Sequence, residues 1–201
     1  MFALVESGSI IKFLNGNKGI QIGDLKYPRA IYTLWTEAER NAIGIYTVEY
    51  DNSNKKDEKW YINTNQSYAF GSGKVTATYG TATAKAHADA NFTAQDETDG
   101  LGTEGELKSR GLKYKLIQDV KLEAANELAK TDWYVVRKSE ESTAIPSAIT
   151  THRRAVRSKQ ASMCTAITNA SDTPALETLY TYTAQEDGSV TRPLGELPTL
   201  E

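Results

Sequence analysis

The sequence predicts an α+β protein: an N-terminal antiparallel β-rich module, then a C-terminal helical hairpin and an extended tail. Three observations carry this. Apolar and aromatic side chains come in short alternating runs over residues 1–80. Ala, Thr, Asp and Gly then dominate residues 81–105, where Phe92 and Leu101 are the large apolar side chains. From about residue 106 apolar positions recur at i, i+4 spacing, the helical period. The organisation that follows is a β module over 1–80, a linker or arm over 81–105, a helical hairpin over 106–172, and a short helix with a C-terminal tail over 173–201.

Taken in order, residues 2–13 predict strand, turn and strand. Phe2 and Leu4 lie on one side of "ESGS", Ile11 and Phe13 on the other, and Gly8 suits the turn. "GNKGIQIGD" predicts a loop with a brief strand. "TEAERNAIG" predicts a short helix, with Thr36 and Glu39 at capping-box spacing and Gly44 at its left-handed end. "IYTVEY" predicts a strand, "NSNKKDEK" a solvated loop, and the segments flanking "GSG" two further strands. The composition of residues 81–105 predicts a linker or partly exposed arm.

In the helical region Leu112, Leu116, Val120, Ala124 and Leu128 form one stripe, with Ile117 beside it. Lys113, Lys115, Lys121, Glu123 and Glu127 are assigned to the opposite face. Asp132 is expected to end this helix and Trp133 to fold back over the end of the stripe. After a polar connection, Pro146 suits the first turn of a second helix, with Ile149, Val156, Met163 and Ile167 on its core face. A third, short helix is capped by Asp172 or Thr173, with Pro174 at its start. "EDGSV" predicts a turn between brief strands in the tail.

The totals bound the function. With 23 basic and 26 acidic residues the net charge is −3, which weighs against a dedicated nucleic-acid binder. One cysteine, Cys164, excludes an intrachain disulfide. The N-terminus has no basic region of the kind that opens a signal peptide, and no apolar run reaches membrane-spanning length. A soluble protein folded in a cytoplasm is therefore expected.

Catalytic, cofactor and metal residues are expected to be none. His87 and His152 lie far apart, and neither H-x-x-x-H nor C-x-x-C occurs. Cys164 reads as a small apolar residue on a helix. "GSGK" at 71–74 lacks the spacing and the Ser/Thr of a phosphate loop and reads as a hairpin turn. The main polar signal is basic: Arg153, Arg154, Arg157 and Lys159 fall within seven residues. This run can contact an anion, a nucleic acid or an acidic protein patch. Alternatively it is a solvated helix face that pairs with Glu140, Glu141 or the first helix, and the absence of interleaved aromatics favours that reading. The expected role of residues 125–160 is packing, with Trp133 closing one helix end and Ile149, Val156 and Met163 covering it. Trp133, Arg153, Arg154 and Arg157 are the candidate partner-binding residues.

The ordered set "TDW" (131–133), Pro146 and "HRRAVR" (152–157) resembles the C-terminal helical region of small tailed-phage proteins grouped with tail fibre assembly chaperones. The residues that match are Thr131, Asp132, Trp133, Pro146, Arg154, Ala155 and Arg157, and the aromatic of the family's helix motif is replaced by His152 or Arg153. "FALVESGSIIKF", "AERNAIGIYTVEYDN" and "KWY" are similar to the opening and middle segments of such chains. The resemblance covers about two thirds of the chain and leaves out residues 81–105 and the tail after about 180. It implies a non-enzymatic tail protein at the baseplate or tail fibre, multi-copy or homo-oligomeric. Such a protein would dock to other tail or fibre proteins in the virion, without cofactor or membrane. A transient fibre-assembly chaperone and a nucleic-acid-binding module are the alternatives.

Overall fold

Residues 1–200 are described by a computed structural model, in which the chain divides into two units at Thr83/Ala84. The first unit begins with β1 (Phe2–Glu6) and β2 (Ser9–Leu14), joined by Ser7 and Gly8 at φ 48° and 79°. Positive φ at both central residues gives the right-handed twist that a two-residue hairpin needs. A second hairpin, β3 (Ile20–Ile22) and β4 (Leu25–Tyr27), occupies the glycine-rich stretch. Two short helices follow, α1 (Ile31–Leu34) and α2 (Glu37–Ala42). The expected capping box is present. Thr36 Oγ1 accepts from the Glu39 N–H, and Glu39 Oε2 accepts from the Thr36 N–H at 2.7 Å. Gly44 ends α2 at φ 80°, where a Cβ would lie 2.6 Å from the Val5 carbonyl oxygen, so the turn into the sheet admits only glycine.

The remaining strands of this part are β5 (Ile45–Asp51), β6 (Tyr61–Ile62), β7 (Gln66–Gly71), β8 (Lys74–Tyr79) and β9 (Thr83–Ala84). Five strands form one sheet in the order β2-β1-β5-β8-β7. All neighbours are antiparallel except β5 and β8, which run parallel with Val48 opposite Val75. The sheet curls into a half-barrel, and Phe13 on one edge strand meets Tyr68 on the other at 4.5 Å between ring centroids. One face buries Ala3, Val5, Val48, Val75 and Ala77 beneath Tyr46 and Phe70. The other face packs Leu4 and Ile45 on Ile20, Ile31 and Tyr32. Each large aliphatic side chain buried in this way contributes about 1.5–3 kcal/mol. "GSG" is a hairpin turn, with Ser72 and Gly73 both at positive φ between β7 and β8.

Of the expected linker or partly exposed arm at 81–105, the structure shows a largely exposed stretch that nonetheless carries regular elements. From Ala84 onward this stretch folds as part of the helical unit. β10 (Ala90–Asn91) pairs with β11 (Leu107–Ser109) and encloses α3 (Ala94–Thr98). The Phe92 N–H donates to Glu106 O, and the Gly105 N–H donates to Phe92 O. Thr93 and Asp96 form a reciprocal capping box, and Lys108 Nζ reaches Asp96 at 2.6 Å. Backbone and carboxylate hydrogen bonds hold this segment in place of apolar burial, and apolar content therefore does not reveal it.

Four helices follow: α4 (Leu112–Ala129), α5 (Asp132–Glu141), α6 (Ser147–Asn169) and α7 (Thr173–Tyr180). α4 and α6 are antiparallel neighbours. Lys113 near the start of α4 donates to Thr168 O near the end of α6, and Arg153 near the start of α6 donates to Leu128 O near the end of α4. Leu116, Val120 and Ala124 of α4 are buried, as are Ile149, Val156, Met163 and Ile167 of α6. Most of the expected polar connection is in fact α5, so α4 and α6 are not joined by a simple loop. Asp172 caps α7 by accepting from the Ala175 N–H. The tail is not extended throughout. β12 (Thr183–Ala184) and β13 (Val190–Thr191) pair, Leu194 is buried, and the Leu200 N–H returns to Glu127.

Candidate docking site

The site is built where α4 stops and α5 starts. At the break, Thr131 adopts φ −121°, ψ 6° and is fully buried. Its hydroxyl and its N–H both donate to Leu128 O, at 2.9 and 3.0 Å. Threonine thus takes the end-of-helix carbonyl that a further turn would have used. Asp132 opens α5, where a carboxylate suits the positive end of the helix dipole. Arg153 of α6 spans the break. Its Nη1 lies 2.7 Å from Leu128 O, 2.6 Å from Thr131 Oγ1 and 2.8 Å from Asp132 Oδ1. The Thr131–Asp132 pair and Arg153 are therefore one device that fixes a corner between three helices.

This separates the four candidate partner-binding residues. Arg153 is buried, at 8% exposure, and its Nη1 is committed inside the unit, which gives it a structural role. Trp133 does not fold back over the end of α4. It is 57% exposed on α5, with the Arg137 guanidinium 4.7 Å from its ring and Tyr134 beside it. The break redirects the chain, so a residue one turn past the stripe no longer lies over it. Arg154 and Arg157 are exposed and line an open cleft of about 390 Å³ with Val135, Ile145, Thr150 and the edge of Arg153. Trp133 does not line this cleft. α5 itself buries no residue, and Val135 and Val136 are exposed along with Trp133.

A second cluster escaped the sequence reading. Glu127, assigned there to the solvent face, is buried between α4, α6 and the tail. Its Oε1 accepts from His152 Nε2 at 3.1 Å and from the Leu200 N–H at 3.2 Å, and its other oxygen accepts from Lys130. A carboxylate only accepts, so the network places the hydrogen on Nε2 of His152. The Lys130 ammonium, ahead of the Leu200 N–H, holds the Glu127 carboxyl below the usual carboxylate range. The i, i+3 spacing of Glu127 and Lys130 was visible in the sequence, but His152 and Leu200 lie far along the chain.

His87 supplies a backbone carbonyl to the start of α4, where the Lys113 N–H donates to it. Cys164 is half-buried on α6 and accepts from Gln160 Nε2 at 3.7 Å. Among the described residues no group of three or more His, Cys, Asp or Glu side chains is placed to hold a metal ion. No helix of the described residues is long and apolar enough to cross a membrane. The arrangement presents surface chemistry: an aromatic–arginine pair on α5, and separately an arginine-lined cleft between α5 and α6. No protein-family model, no curated protein and no solved structure matches this chain.

Proposed function

We propose that this protein is a non-enzymatic docking component of a bacteriophage tail, at the baseplate or tail fibre. The observation that carries the docking role is α5, a ten-residue helix with no buried residue that exposes Trp133, Val135 and Val136. An exposed helix with no buried face and three exposed large apolar side chains is available to a partner, and Trp and Arg dominate the energetics of protein interfaces. The assignment to a phage tail rests on the ordered resemblance of the "TDW", Pro146 and "HRRAVR" segments. In this reading α4 and α6 form a helical hairpin that carries α5 as its contact surface, and the tail after α7 supplies a further contact. Neighbouring tail or fibre subunits, or further copies of the same chain, are the partners, and no cofactor is required.

The test is quantitative mass spectrometry of purified virions against infected-cell lysate, for wild type and Trp133→Ala. The expected result is a fixed, multi-copy presence in virions that drops for the variant, while its solution stability is unchanged. Abundance in lysate with absence from virions would instead make it a fibre-assembly chaperone, a reading that the same exposed α5 surface serves. Salt-sensitive retention on DNA that is lost in Arg154→Ala/Arg157→Ala would favour a nucleic-acid-binding module.

A further inference from the structure

We infer that the cleft between α5 and the start of α6 binds an acidic, aliphatic segment of a partner protein. The inference rests on the docking role proposed above and names the chemistry of the occupant. Three observations combine.

First, Arg154 and Arg157 make no ion pair among the described residues, whereas neighbouring Arg153 is committed to Asp132, Thr131 and Leu128. Glu140 and Glu141, the partners expected from the sequence, stay exposed and pair with neither arginine among the described residues, so the helix face is solvated as expected but the pairing is not formed. α6 carries Arg153, Arg154, Arg157 and Lys159 and not one Asp or Glu. Two uncompensated guanidiniums, one helical turn apart, thus face one opening.

Second, the walls are aliphatic. Val135 is 42% exposed on the α5 side and Ile145 is half-buried at the entry to α6, with exposed Thr150 also lining the cleft. About 390 Å³ lies at the small end of the range for ligand clefts, enough for one or two side chains rather than a folded surface.

Third, the alternative polyanion fits poorly. Nucleic-acid sites track the backbone with many cations and stack bases on aromatics. Here the cleft offers two free cations and no aromatic, and the whole chain carries −3. An occupant with one leucine-like side chain between Val135 and Ile145, flanked by carboxylates on Arg154 and Arg157, satisfies both the charge and the apolar wall. Guanidinium favours carboxylate because two N–H donors match its two oxygens.

The experiment is fluorescence anisotropy with the full chain and four labelled probes. These are a Glu-Asp-Leu-Leu-Asp-Glu peptide, the same peptide with both leucines replaced by glycine, a hexaglutamate peptide, and a 20-base-pair DNA duplex. The leucine peptide is expected to bind, and the glycine version about tenfold more weakly because the apolar contact is lost. Arg154→Ala/Arg157→Ala is expected to weaken the leucine peptide by about tenfold or more. Lys115→Ala/Lys121→Ala makes the same charge change on the exposed face of α4 and is expected to leave binding intact. Circular dichroism of each variant confirms that the helices remain.

Hexaglutamate binding as tightly as the leucine peptide would reduce the cleft to a charge patch and overturn the proposal. So would tighter binding of the duplex, wild-type binding by the arginine variant, or no binding of the leucine peptide. Virion incorporation of the Trp133→Ala variant reports on the Trp133 surface of α5, which does not line this cleft. Failure of the peptide assay with intact incorporation therefore removes the cleft inference alone.

Discussion

Arg153→Ala is expected to destabilise the helical unit by about 2–4 kcal/mol. The magnitude follows from what the side chain does. Its Nη1 reaches three acceptors at 2.6–2.8 Å from a position that is 8% exposed. A hydrogen bond from a charged donor contributes about 1.5–3 kcal/mol, and the stem adds packing. Two features hold the total below the sum. Leu128 O keeps its bonds from the Thr131 hydroxyl and N–H, and the Asp132 side chain is 58% exposed and regains water. The same exposure ranks the partners. In double-mutant cycles, Arg153 with Asp132→Asn is expected to couple by less than about 1 kcal/mol, as exposed ion pairs do. Arg153 with Thr131→Val is expected to couple by about 1–2 kcal/mol, because that bond is buried. The assay is urea unfolding of the full chain, with amide hydrogen exchange in α4 and α6 reporting this unit separately from the sheet. A cost under about 1 kcal/mol, or a stronger coupling to Asp132 than to Thr131, would refute the corner as described.

Gly111→Ala places a Cβ 2.3 Å from the Ala88 carbonyl carbon and oxygen, so loss of about 1–3 kcal/mol is expected in the same unfolding assay. Asp96 is held at about 2 by Lys108 first and then by the Thr93 N–H. Its folded value lies below its ordinary 3.8, so the stability it adds is present above about 4 and is lost as pH falls through about 2. Asp96→Asn should therefore lower stability at neutral pH and flatten the acid limb of a stability–pH curve. Ser72→Asn should stabilise the β7–β8 hairpin by about 0.5 kcal/mol, because residue 72 sits at φ 51° ahead of Gly73 and asparagine tolerates that region better.

Where local pattern and tertiary environment agree, the fold was legible. Thr36, Glu39 and Gly44 announce α2, and Ile149, Val156, Met163 and Ile167 announce the buried face of α6, because in each case the signal lies within a few turns of chain. The elements within residues 84–105 were not legible because their order comes from polar capping and backbone pairing, to which apolar composition is blind. Glu127 was placed on the wrong face because its burial depends on donors at His152 and Leu200. At the candidate site, position identified the right stretch of chain but merged residues of opposite fate. Arg153 and Arg154 are adjacent in sequence, yet a helix turns about 100° per residue, so one faces the corner and the other the cleft.

The sheet's single parallel ladder sets a schedule for folding. β1–β2 and β7–β8 are each joined by a two-residue turn, so both hairpins form from contacts local in sequence, on the microsecond scale of isolated hairpins. β5 joins the first hairpin through its antiparallel pairing with β1. The Val48–Asp51 ladder on Val75–Thr78 must then wait for the intervening chain to close, a non-local step with a larger entropic barrier. Until it closes, β5 and β8 each present an open edge in the nascent chain. The interval before this seam zips is when this half of the protein is most exposed to pairing with the wrong strand.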